Sequence, residues 1–120
     1  MNKLTTILLT SALVMSGSQA LAHPLHVSHE GNKTLATESV DSKESAYENA
    51  QLILDELKAS SPAELKNELG VMPVHLVNNS VTLKDDSYIV AQEYMNDDGE
   101  VRYKGLVNVS YSYLKAENNR

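Results

Sequence analysis

Residues Glu100 to Leu114 read Glu-Val-Arg-Tyr-Lys-Gly-Leu-Val-Asn-Val-Ser-Tyr-Ser-Tyr-Leu. Val101, Tyr103, Gly105, Val107, Val109, Tyr111 and Tyr113 hold the odd positions; Arg102, Lys104, Leu106, Asn108, Ser110, Ser112 and Leu114 hold the even ones. This alternation puts β-branched and aromatic side chains on one face of an extended chain, the pattern of a half-buried strand. So long a strand needs neighbours along its length, and the segment before it supplies one. Tyr88, Val90, Gln92 and Tyr94 alternate with Ile89, Ala91, Glu93 and Met95, and Asn96-Asp97-Asp98-Gly99 carries turn chemistry. With Asp98-Gly99 as a two-residue turn, Tyr94 faces Tyr103, Val90 faces Val107, Tyr88 faces Val109 and Glu93 faces Lys104. A four-residue loop shifts the pairs by two and keeps the same faces.

Upstream, the alternation resumes more weakly at Val74 to Val77 and at Val81 to Leu83, which extends the expected sheet back to Val71. Before that the period changes to that of helices. Asp41 followed by Glu44 fits a capping box, and Ala46, Ala50, Ile53, Leu54 and Leu57 then recur at three- and four-residue spacing, predicting a helix from about Ser42 to Ala59. Ser61, Pro62 and Glu64 mark a second helix start and Gly70 its stop, so a short helix spans Pro62 to Leu69. Thr34 to Val40 alternates faintly and is a candidate first strand. Residues 23–33 show no period and read as a flexible, histidine-containing arm, and residues 116–120 read as a polar tail. The expected fold is α+β: an antiparallel β-meander of three to four strands with the two N-terminal helices packed on one face, all within residues 34–115.

Residues 1–22 have the form of a secretory signal. Lys3 supplies the positive start, Leu4 to Met15 the apolar run, and Ala20 and Ala22 the small residues required by signal peptidase, with Ser18 and Ala20 offering an earlier site. Cleavage after Ala22 makes His23 the first residue, leaves 98 of the 120 residues and takes the formal charge from −6 to −7 through the loss of Lys3. A mature chain of this size is one domain. Its acidity disfavours nucleic acid and anionic membrane surfaces, and no later run is long enough to span a bilayer. The chain has no cysteine, which removes disulfides, thiol nucleophiles, cysteine zinc sites and a lipoprotein anchor together.

The candidate metal site is the new N-terminus, His23-Pro24-Leu25-His26-Val27-Ser28-His29. A terminal histidine chelates through its α-amino and ring nitrogens, and His26 and His29 offer further imidazoles, a donor set suited to copper or zinc. The competing reading is a solvated arm. Elsewhere, Met72 and His75 lack a third ligand, Asn96 to Glu100 lacks the oxygen spacing of a calcium loop, and Tyr111 and Tyr113 fall on the inward face. No glycine-rich phosphate loop, nucleophile elbow or histidine–acid spacing is present, so no enzyme is expected.

The chain resembles a family of small exported bacterial proteins called domain of unknown function 3316. The resemblance rests on the signal, on Ser42-Lys43-Glu44-Ser45-Ala46-Tyr47 opening a helix, on Glu93, and on Gly99-Glu100-Val101-Arg102-Tyr103 leading into Val107-Asn108-Val109-Ser110-Tyr111-Ser112-Tyr113. It implies export and a compact α+β domain and no catalytic residue. The expected role is a non-enzymatic interaction module of the periplasm, or secreted, that engages another envelope protein or itself through an edge strand or the outer sheet face. The alternatives are copper or zinc binding by His23, His26 and His29, and an acidic inhibitor or immunity-type protein.

Overall fold

A computed structural model describes residues 25–117. The expected signal, its cleavage sites, His23 and residues 118–120 lie outside the described residues. The chain runs β1 (Leu25–Ala36), α1 (Lys43–Ala59), α2 (Pro62–Leu69), β2 (Thr82–Leu83), β3 (Tyr88–Met95) and β4 (Val101–Glu117).

Both helices start and stop on local chemistry. For α1 the cap is Ser42, one residue after the expected Asp41: its side chain accepts the Ser45 N–H at 3.1 Å. In α2 the capping box forms as the sequence predicts, because Ser61 Oγ accepts the Glu64 N–H and the Glu64 carboxylate accepts the Ser61 N–H at 2.8 Å. Those bonds favour the ionised acid and hold the Glu64 pKa below its ordinary value. Gly70 ends the helix in the left-handed region at φ 66°.

The antiparallel four-stranded sheet and the two helices make the α+β class that the sequence predicts. The strands do not follow one another across the sheet in chain order. β4 lies in the middle: β1 runs along one edge, pairing Leu25 with Glu117 through Ala36 with Leu106. Along the other edge β3 pairs with residues 101–108 of β4 and β2 with Ser112 and Tyr111. Between residues 74 and 77 the expected strand reduces to one bridge, Leu76 to Lys115, with Val77 N–H donating to the Leu114 carbonyl. The segment read as a flexible arm is most of β1, and Ala116 and Glu117, read as tail, are the end of β4.

The hairpin register also differs. The loop between β3 and β4 has Asn96 N–H bonded to the Glu100 carbonyl, Gly99 N–H bonded to the Asn96 carbonyl, and Gly99 at φ 83°. This is a type I turn closed by a left-handed glycine, a loop of odd length. Odd length pairs Tyr94 with Arg102, Ile89 with Val107 and Ala91 with Gly105, and turns Tyr88, Val90 and Tyr94 to the outer face. There the Tyr94 hydroxyl donates to Ser39 Oγ, and Arg102 reaches the Ser39 carbonyl at 3.1 Å, tying the loop end of the hairpin to the chain leaving β1.

On the other face α1 lies across β3 and β4. Ala46 and Ala50 are fully buried, and the strand beneath them has Gly105. A Cβ at Gly105 would run into the Ala46 carbonyl oxygen and stand 2.8 Å from Ala50 Cβ. The helix therefore sits at backbone contact with the strand, and Leu54, Leu57, Leu65, Leu69, Val71, Val81, Val107 and Val109 close the core around that contact. Tyr111 and Tyr113 pack at its margin.

Replacing Gly105 with Ala is expected to destabilise the fold by about 2–3 kcal/mol, since backbone rather than a flexible side chain must give way. Urea unfolding of the wild type and variant checks this, with an unchanged midpoint contradicting the packing.

Candidate functional site

The candidate site grows from β1, whose sequence Leu-His-Val-Ser-His-Glu-Gly-Asn-Lys-Thr-Leu-Ala has little strand signature. β4 holds it in place from one side. Thr37 N–H donates to the Gly105 carbonyl, and ladder alternation carries this phase along the antiparallel pair. The odd residues of β1 turn their backbone groups to β4. The even residues, His26, Ser28, Glu30, Asn32, Thr34 and Ala36, turn theirs away, to an edge that no strand pairs among the described residues.

The two faces of β1 differ in chemistry. On the core face His29 stacks on Tyr113, centroids 5.6 Å apart with an 18° interplanar angle, and its Nε2 stands 3.5 Å from Glu117 Oε2. Gly31 lies under Tyr111, where a Cβ would stand 2.6 Å from the ring. The tyrosine thus replaces the side chain that the glycine lacks. On the outer face Thr34 donates to Asn108 Oδ1 at 2.7 Å, and the Ser110 hydroxyl is shared between Asn32 Oδ1 at 2.9 Å and Asp86 at 3.3 Å. Thr82 and Ser112 are bonded at 3.0 Å, and Lys84 Nζ meets Glu30 Oε2 at 2.9 Å. That bond raises the Lys84 pKa above its ordinary value.

Beside the C-terminal half of the free edge is an open groove of about 430 Å³ lined by Ala36, Thr37, Glu38, Asn49, Leu52 and Ile53. Leu52 is 63% exposed, on the flank of α1 that looks along β1. A second cleft of about 470 Å³ lies at the junction of α1 and α2 against residues 81–87, lined among others by Leu57, Leu65, Val81 and Leu83. Ser87 Oγ is buried in this region without a protein partner.

Of the sequence-predicted metal residues, His23 lies outside the described residues, and the strand separates the other two. His26 and His29 are three positions apart in one strand, which places them on opposite faces: His26 opposite Ala116 on the outer face, His29 against Tyr113 on the core face. Among the described residues no three histidines, cysteines or acids are grouped to hold a metal ion. Met72 is 77% exposed, and His75 sits in a turn at φ 64°. Tyr111 and Tyr113 face inward as expected. The Asn96 to Glu100 loop uses its polar atoms on itself, Asn96 Oδ1 accepting from Asp98 N–H and Glu100 N–H. Sequence reasoning missed the β1 edge. Its available signal was the length of β4, which outruns the one partner that the preceding hairpin strand offers.

Comparison with known families matches residues 2–118 to the family described as Domain of unknown function (DUF8398), and the chain belongs to it. This corrects the resemblance to the 3316 family: the chain is a member of a family of unknown function, but of a different one. No curated protein and no solved structure matches. No helix among the described residues is long and apolar enough to cross a membrane.

Glu30→Gln is expected to return the Lys84 amine toward its ordinary pKa, read by an NMR titration of the lysine side chain. The sign follows from linkage. With the folded pKa raised, the stabilisation is complete below the unfolded-state value and is lost as pH rises through the folded one, so the variant's unfolding midpoint should converge on the wild type's at strongly alkaline pH.

Proposed function

We propose that this protein is a small exported, non-enzymatic binding module of the cell envelope whose working surface is the free edge of β1. One observation carries the reading: a twelve-residue strand presents one whole edge unpaired among the described residues, beside a groove with an exposed leucine. Natural sheets usually shorten, bend or cover such edges, because open N–H and C=O groups accept another strand. Strand addition takes its affinity from the main-chain bonds and its selectivity from side-chain pockets next to them. Here Ala36, Leu52 and Ile53 supply the pocket. Export is supported by the signal-like start of the sequence, with its positive residue, apolar run and small-residue cleavage site.

The phase of β1 allows a clean test. Proline at an even position removes an N–H that points away from β4, whereas proline at an odd position breaks a ladder bond. Ser28→Pro should therefore keep most of its stability, with a loss of about 1 kcal/mol or less, while His29→Pro should lose about 3 kcal/mol or fail to fold. With a photo-crosslinking residue at Asn32, the otherwise wild-type protein should form one defined adduct in the cell, and Ser28→Pro should abolish it. An adduct unaffected by Ser28→Pro, in protein shown to be folded, would place binding elsewhere.

A further inference from the structure

The β1 edge is self-complementary, and we propose that its occupant is a second copy of this chain, joined through antiparallel pairing of the two β1 strands about a two-fold axis at Gly31. The inference rests on the edge-binding reading above and names the partner.

A two-fold axis normal to the sheet keeps both core faces on the same side and brings the two free edges together. Because the even residues carry the open backbone groups, they must pair with even residues. Centring on Gly31 meets this requirement: Glu30 faces Asn32 of the second copy, Ser28 faces Thr34, and His26 faces Ala36. On the core face His29 then faces Lys33, Val27 faces Leu35, and Leu25 faces Thr37. Almost the full length of both strands is used.

The neighbouring registers are worse. A slip of two residues one way sets Glu30 against Glu30, and like charges directly opposite are destabilising. A slip the other way moves Val27 off Leu35 and sets His29 there instead. The Gly31 register also joins two apolar features that are separate in one copy. Leu25 is 47% exposed at one end of β1, and Leu52 is 63% exposed in the groove at the other. Opposite Thr37 and on the core face, Leu25 of each copy enters the groove lined by Thr37, Leu52 and Ile53 of the other. The two-fold performs this twice. Charge points to the same place. The chain carries a net charge of −6, yet the only charged residues of β1 are Glu30 and Lys33, whose charges cancel. Two copies therefore meet along this strand without adding net like charge to the contact.

The absence of cysteine makes the register directly readable. Ser28→Cys and Thr34→Cys, which leave Glu30 in place, are prepared separately, each expressed from the full coding sequence, mixed and mildly oxidised. Paired strand residues that exchange backbone bonds have Cα atoms about 5.5 Å apart, within disulfide range. The mixed Ser28→Cys/Thr34→Cys dimer should form at least tenfold faster than either self-crosslinked species. In sedimentation the wild type should be a dimer, and Leu52→Asp should weaken that dimer at least tenfold while leaving the cooperative unfolding of the monomer intact. A monomeric wild type, or crosslinking without preference for the mixed pair, would overturn the two-fold pairing. Should a monomeric protein still give a Ser28→Pro-sensitive adduct to a different polypeptide at Asn32, the edge reading would stand and the second copy alone would fail.

Discussion

The contact between Ala46 and Ala50 of α1 and Gly105 of β4 sets the spacing between the two layers of this protein. With no Cβ on the strand and only methyl groups on the helix, the backbones meet directly. Dispersion falls steeply with distance, so a layer held at this height lets Leu54 and Leu57 reach Val107 and Val109 with no gap to fill. The short α2 then adds Leu65 and Leu69 to the same cluster. A core built from valine, leucine and alanine, without phenylalanine or tryptophan, is closed by proximity rather than by the bulk of its residues.

β4 is the strand that this contact clamps, and it is used on both edges. β1 covers one side of residues 106–117, while β3, β2 and the bridge at Leu76 share the other. Making the longest strand central removes it from the hazards of an edge and transfers those hazards to β1 and β3. β1 is the longer of the two and the more polar. Its polarity suits an edge strand, and its length leaves a long row of backbone groups that no strand pairs among the described residues. Gly31 under Tyr111 and His29 against Tyr113 show how a strand of such composition is still held down: the tyrosines of β4 provide the apolar cover that β1 itself does not.

The odd-length loop at Asn96 to Glu100 has consequences well beyond the turn. It selects which alternate set of β3 side chains faces α1, and so decides that Ile89 and Ala91 lie beside the core while Tyr94 reaches Ser39 across the outer face. Both phases of β3 contain apolar residues, Tyr88, Val90 and Tyr94 in one and Ile89, Ala91 and Met95 in the other. Side-chain pattern therefore carried little information about which face is inward. The loop length decides it, and the phase it selects sets small Ala91 opposite Gly105 beneath α1.

What the sequence by itself determined is the local architecture. The ends of α2 at Ser61 and Gly70, the body of α1, the long alternation of β4 and the existence of the β3–β4 hairpin are each specified by residues within a few positions of the feature. Caps, helical period and strand period act over that range. Tertiary structure alone decided the rest. β1 has no periodic apolar face and is a strand because β4 offers it hydrogen bonds and two tyrosine rings; its histidines are separated onto opposite faces by that same extended geometry. The pairing order around β4 and the β1 edge left unpaired among the described residues depend on contacts between residues tens of positions apart, and no local pattern encodes a partner that the chain meets only after it has folded.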